Sequence, residues 1–233
     1  MRLGLIALFT DQMVEPALRD MLPSETAFYV RRVAMGSETT TDNLMSLEGG
    51  LEAAANLMPN DQLDVMAFAC TSGTIAIGPK AVAGKISVGR PDVQTTDPLS
   101  AALAGFRRLS ISSVALLTPY IDHVNEQIVS YIRQQGITVP KAGTFNVVAE
   151  KDIPYISPRS IVEAASQVDT PSADAVFISC TELRSHVVID EIERAIGKPI
   201  VASNQALAWR ALDLAAYGRP VIGYGRLMAM LGT

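Results

Sequence analysis

Asp64-Val-Met-Ala-Phe-Ala-Cys-Thr-Ser-Gly73 decides the fold, because Asp174-Ala-Val-Phe-Ile-Ser-Cys-Thr-Glu-Leu183 repeats its form 110 positions later. In each, a short apolar run ends in Cys-Thr, and such a run reads as a parallel strand buried on both faces. Working outward, residues 3–9 read as a first strand, and 14–22 as the helix after it, ended by Pro23. A helical stretch over 43–58 leads into the strand 64–69. The second half has the same order: strand 113–118, helix 121–135 with Gly136 as its C-cap, helix 160–167 and strand 174–179. Residues 200–203 add a short strand, and 204–216 form a helix that returns to the first half.

Strands alternating with helices define an α/β protein. The repeat is too long for a solenoid, so duplication of a domain explains it. The expected architecture is two pseudo-symmetric lobes, each a mostly parallel sheet flanked by helices. Residues 1–98 plus 204–233 form the N-terminal lobe, and 99–203 the C-terminal lobe. Ligands of open parallel sheets bind beyond the carboxyl ends of the strands, where both Cys-Thr pairs fall. The active site is therefore expected in the cleft between the lobes.

Composition narrows the function. A chain of 233 residues, 48% hydrophobic and 18% charged, can bury a large core. Its net charge of −5, with both signs mixed along the chain, provides no basic stripe for nucleic acid or an anionic membrane. Its apolar runs fall far short of the roughly 20 residues that cross a bilayer, and no signal pattern opens the sequence. A cytoplasmic location is expected, with both thiols kept reduced.

A cysteine reacts as a thiolate, and a helix N-terminus lowers its pKa. Both Cys70 and Cys180 are expected there, with the hydroxyls of Thr71, Ser72 and Thr181 and nearby N–H groups holding a substrate carboxylate. Such donors stabilise the charge that forms when a proton leaves the carbon next to a carboxylate. A lone free cysteine is usually an inert buried hydrophobe. Two in matched turns make a catalytic pair the better reading. Zinc is not expected, because Cys70, His123, Cys180 and His186 lack grouped spacing, and both histidines lie in helix-like stretches where a surface position is the default. No dinucleotide or P-loop pattern occurs, and Gly223-Tyr-Gly225 is too short to signal a nucleotide site.

Five motifs carry a resemblance: Thr10-Asp-Gln-Met-Val-Glu15, Phe68-Ala-Cys-Thr-Ser72, Leu117-Thr-Pro-Tyr-Ile-Asp-His-Val-Asn125, Phe177-Ile-Ser-Cys-Thr-Glu-Leu-Arg184 and Ser203-Asn-Gln-Ala-Leu-Ala-Trp209. In this order they resemble the aspartate/glutamate racemase superfamily over nearly the whole chain. The maleate cis-trans isomerase and arylmalonate decarboxylase branch is most similar, especially its ectoine-utilisation racemase-like proteins. The resemblance implies a cofactor-independent enzyme without a metal, a small carboxylate or amino-acid-like substrate, and a homo-oligomer. It implies that Cys70 and Cys180 remove and return a Cα proton from opposite faces, or that Cys70 adds to a double bond as in maleate isomerases. Tyr120 matches a substrate-contacting tyrosine. Asp11 stands where maleate isomerases have a carboxylate-binding Asn, and their second such Asn would fall near Glu150–Asp152. An ionised Asp11 repels a dicarboxylate but pairs with an ammonium or amide N–H; as a local residue it is a turn or N-cap aspartate. Glu182 stands where glutamate racemases have His, and Arg184 is placed to attract an anion or to sit in solvent. The expected function is racemisation or epimerisation of a small amino-acid-like carboxylate, an ectoine breakdown product among the candidates. Maleate-type isomerisation and non-catalytic small-molecule binding are the alternatives.

Overall fold

The computed structural model describes residues 1–36, 40–59 and 62–232. Among them, β1 (Arg2–Leu8), β2 (Ala27–Val33), β3 (Val65–Ala69) and β4 (Gln94–Thr96) form one sheet in the order β2-β1-β3-β4. The strands β5 (Val114–Thr118), β6 (Ala142–Thr144), β7 (Ala175–Ile178) and β8 (Ile200–Ala202) form a second in the order β6-β5-β7-β8. Every pairing is parallel. The two orders coincide, so β1 answers to β5 and β3 to β7.

Burial explains why these runs read as continuously apolar. In β1, Leu3, Leu5 and Ala7 face one core cluster, and Ile6 and Leu8 face another across the sheet. Neither face meets water, so no polar alternation survives. The order 2-1-3 sends the chain to opposite sides after β1 and β3, which opens a crevice at their carboxyl ends. The pairing of Ala7 with Ala69 and of Leu117 with Ile178 brings those ends side by side. Asp11 and Cys70 follow one pair of ends, and Tyr120 and Cys180 the other.

Two helices join the sheets. Helix Pro98–Arg108 carries Pro at its start and is capped by Asp97, whose Oδ1 accepts from Leu99 and Ser100 N–H at 2.9 and 2.8 Å. Its Phe106 meets Phe177 of β7 edge to face, with ring centroids 5.4 Å apart. Helix Ser203–Leu214 leaves β8 buried from Ser203 to Trp209 and packs on Pro98–Arg108, Val14–Met21, β3 and β4. The C-terminal segment thus lies against the first sheet as well as the second.

Several expectations shift. Residues 43–58 form two helices, Thr41–Ser46 and Glu48–Asn56, divided at Leu47. Gly49 and Gly50 weaken a continuous helix there, and a Cβ on Gly50 would lie 3.2 Å from Val33 Cγ1 of β2. The edge strands β2, β4 and β6 carry no clear signal: β4 and β6 have three residues each, and Arg31-Arg32 interrupts β2. Gly223-Tyr-Gly225 has a structural role. Gly225 adopts φ +79°, its N–H donates to Asp190 Oδ1 at 2.7 Å, and a Cβ there would lie 2.4 Å from Ile189 Cγ2. Among the described residues, no helix is long and apolar enough to cross a membrane.

Candidate active site

At the end of β3, Cys70 is extended (φ −151°, ψ 112°) and caps helix Thr71–Ile77. Its Sγ accepts the Gly73 N–H at 3.2 Å, the place a Ser or Asp oxygen usually takes at an N-cap. Gly73 permits this, since a Cβ there would lie 3.0 Å from that sulfur and 2.9 Å from Leu47 Cδ1. The backbone carbonyl of Cys70 accepts from Thr74 Oγ1 at 2.7 Å, which fixes the turn.

Cys180, at the end of β7, differs from the expected helix N-terminus. Residues 181–184 form an irregular turn, followed by a single 3₁₀ turn at Ser185–Val188 and then helix Ile189–Ile196. The Thr181 carbonyl accepts from Asn204 Nδ2 at 2.8 Å, so a side chain of the returning helix holds it where helical continuation would need it. Cys180 Sγ still accepts one local N–H, from Glu182 at 3.3 Å.

Tyr120 connects the two turns. Its carbonyl is held by the Thr144 hydroxyl, and the preceding Thr118 donates to Asn125 Oδ1 at 3.0 Å. Its buried phenol interacts with the Cys180 thiol and the Ser72 hydroxyl, and Ser72 Oγ is 3.7 Å from Cys70 Sγ. The phenol therefore lies between the two turns, near Cys180 and near the Ser72 that contacts Cys70. Cys70, Tyr120 and Cys180 expose 4, 6 and 2% of their surface.

Acids surround these turns. Asp11 Oδ1 accepts from Met13 and Val14 N–H at 2.8 and 2.7 Å, so it serves as the local capping residue of helix Val14–Met21. Its Oδ2 is buried near the Thr181 hydroxyl without completing a hydrogen bond. Burial raises the Asp11 pKa, opposed by its N–H partners, by Thr181 and by the Arg32 charge. Burial, reinforced by Asp11 and Glu150, pushes Glu182 up to about 9. Glu150 rises to about 6 by burial and the Asp11 charge, although Thr10 Oγ1, 3.4 Å from its Oε2, lowers it.

These surroundings correct the expectation of depressed thiol pKa values. Burial pushes Cys70 up to about 12, with Glu150 and Asp11 adding to the rise and the Gly73 N–H and Ser72 opposing it. Cys180 lies well above the ordinary thiol range, raised by burial and by Glu182 and Asp11, with Tyr120 and the Glu182 N–H opposing. One capping N–H is worth less than full desolvation beside negative charge. Both shifts run toward the neutral thiol.

Other candidates have other surroundings. Thr71 Oγ1 is 3.0 Å from Ser203 Oγ and braces the turn. Burial lowers the His186 pKa against the pull of Asp20, and the charge of Arg184 adds to the lowering; no contact of Arg184 to either thiol is seen among the described residues. His186 is buried, against expectation, because its 3₁₀ turn packs between helices; its Nε2 is 3.3 Å from Asp20 Oδ2. His123 is exposed, as expected. Sequence reasoning missed Arg32, whose guanidinium binds the Leu8 and Asp11 carbonyls at 2.8 and 2.7 Å and pairs with Glu15. It also missed Ser203 and Asn204 as braces and Glu150 as an acid in its own right. The motif Ser203–Trp209 marked Ser203 and Asn204 without their role, and no local pattern marked Arg32 or Glu150, because each acts on residues far away in the chain.

Above the acids, Thr10, Gln12, Val148, Ala149, Glu150, Lys151 and Glu182 line a cavity of about 600 Å³. The arrangement suits proton transfer between two thiols and a small ligand entering from that cavity.

Known proteins share this framework. The profile of the arylmalonate decarboxylase family matches residues 88–228. A maleate isomerase of Nocardia farcinica is 27% identical over 97% of this chain and 95% of its own. An arylmalonate decarboxylase of Bordetella bronchiseptica is 32% identical over 55% of each chain. A solved cysteine-to-serine variant of the N. farcinica maleate cis-trans isomerase, with a covalently bound succinylcysteine intermediate, superposes with a TM-score of 0.89 at 24% identity, over 98% of both chains. That likeness bears on the fold, whereas the profile match spans more than half of the sequence. The chain therefore belongs to the arylmalonate decarboxylase family, in the branch of the aspartate/glutamate racemase-like superfamily shared with the maleate cis-trans isomerases.

Proposed function

We propose that this enzyme is a two-thiol racemase or epimerase acting at the carbon next to the carboxylate of a small amino-acid-like substrate. The observation that carries the reading is the set of acids, Asp11, Glu150 and Glu182, gathered around the thiols. Burial is the main cause of both thiol shifts, and neighbouring acids add to it: Glu150 and Asp11 at Cys70, Glu182 and Asp11 at Cys180. A plain dicarboxylate would add negative charge to this group, whereas a substrate ammonium or amide N–H brings the missing sign. Bound there, it favours ionisation of one thiol, whose proton passes to solvent. That thiolate takes the Cα proton, leaving the electron pair delocalised into the carboxylate, and the opposite thiol returns a proton to the other face. Ser72, Thr181 and adjacent N–H groups hold the carboxylate, while Thr71 braces the turn. Tyr120 stabilises the Cys180 thiolate by hydrogen bonding. The link to ectoine breakdown products rests on sequence resemblance alone.

The second reading is cis-trans isomerisation of a maleate-like substrate, with Cys70 adding to the double bond. The Nocardia relative, a maleate isomerase matched over nearly the full chain, favours it. Incubation of single enantiomers of amino acids and their N-acetyl derivatives in D₂O separates the two readings. Chiral inversion with deuterium at Cα supports the two-thiol exchange. Conversion of maleate to fumarate without amino-acid exchange overturns it in favour of the second reading.

A further inference from the structure

The thiol pair accounts for the reacting carbon, but the cavity above it has chemistry the thiol exchange does not use. Glu182 exposes 3% of its surface and Glu150 8%, and both line this cavity. Among the described residues Glu182 Oε1 is buried and completes no hydrogen bond, although the Gln12 N–H lies near the carboxylate and opposes its pKa rise. A buried carboxyl oxygen facing a cavity without a donor is a place where a ligand's donor completes the hydrogen bonding.

We propose that Glu150 and Glu182 form a receptor for a second, positively charged group of the substrate, remote from its reacting carbon. The substrate class is then an amino-acid-like carboxylate whose side chain ends in an ammonium, and this assignment rests on the racemase reading above. Neither cysteine lines the cavity, so this space takes the part of a substrate beyond its reacting end. Val148 and Ala149 provide an apolar wall for a methylene chain. An ammonium offers three donors, enough to reach both glutamates.

The charges facing the receptor leave it short of cations. Glu182 feels Asp11, Glu150 and Arg32, lies beside the Cys180 thiol, and shares the cavity wall with Lys151. Arg32 is committed to two carbonyls and Glu15. Thr10 donates to one oxygen of Glu150. An arriving ammonium therefore meets more acids than bases.

The test is binding of ornithine, norvaline and glutamate, which differ in side-chain charge, to the wild-type chain and the Glu150→Gln and Glu182→Gln variants. Ligand-induced thermal shift and calorimetry read binding, and Cα deuterium exchange is followed separately. Ornithine should bind about tenfold tighter than norvaline. That preference should grow as pH rises through the Glu150 and Glu182 ionisations, near 6 and 9. Either variant should erase most of the preference, with norvaline binding falling by less than ornithine binding, and melting of the ligand-free variants confirms the fold. Equal binding of ornithine and norvaline at every pH overturns the receptor. So does a glutamate preference at low pH, which would mean that the protonated acids donate to an anionic tail. Ornithine preference without Cα exchange retains the receptor and rejects the racemase reading; exchange of norvaline without preference does the reverse.

Discussion

The hydroxyls of Thr71 and Ser203 lie 3.0 Å apart although 132 positions separate them. Thr71 follows the first cysteine, and Ser203 opens the helix that returns from the second sheet. Its neighbour Asn204 holds the Thr181 carbonyl, next to the second cysteine. One helix N-terminus therefore fixes both Cys-Thr turns, and the spacing of the thiols depends on it. Thr71→Val and Ser203→Ala should each cost about 1–2 kcal/mol in chemical denaturation, because each leaves a buried hydroxyl unpaired. The double variant should cost less than the sum, a coupling read from the mutant cycle.

Stability should fall as pH rises from about 4.5 to about 9. Glu182 has its pKa raised from 4.5 to about 9, so between those values the folded chain keeps a proton that the unfolded chain releases. The loss begins above the unfolded pKa and levels off above the folded one. Asp11 and Glu150 shift in the same direction, and Cys70 extends the fall from 9 toward about 12. Glu182→Gln should flatten the profile and raise stability at pH 7. Denaturant midpoints across pH check both statements.

The paired apolar strands, the Cys-Thr turns and the returning helix were legible in the sequence because burial on both faces writes itself into uninterrupted runs. The strands β2, β4 and β6 were not, since an edge strand of three residues or one half exposed to solvent has no period to read. The two turns share Cys-Thr but not their continuation. At Cys180 the Thr181 carbonyl accepts from Asn204, a distant partner that the turn's own residues do not announce. Thiol pKa values were misjudged for a related reason: a helix N-terminus is visible locally, but desolvation and the charges of Asp11, Glu150 and Glu182 appear only when both lobes are in place.

Tyr120→Phe removes the hydroxyl that meets Cys180 and Ser72 while keeping the ring that fills the turn. Turnover should fall roughly 100-fold, as for loss of a donor to developing negative charge. Stability should change by less than about 1.5 kcal/mol. Steady-state kinetics beside thermal melting separates the catalytic loss from a packing loss.

Gly225→Ala tests the C-terminal turn. The left-handed backbone at φ +79° and the Cβ contact 2.4 Å from Ile189 Cγ2 both oppose a side chain. The variant should lose about 2 kcal/mol or more. Gly84→Ala, with open space around the new methyl in helix Pro79–Gly89, should be neutral or slightly stabilising in the same melts.

The most direct test follows the Cα proton itself. Single enantiomers of the best-turned-over amino-acid-like carboxylate are incubated in D₂O with the wild-type, Cys70→Ser and Cys180→Ser chains, with inversion and Cα deuterium recorded together. A thiol on each face predicts that wild type inverts with deuterium incorporated, and that each variant loses inversion by about 100-fold or more. Inversion at the wild-type rate in both variants would contradict the two-thiol account.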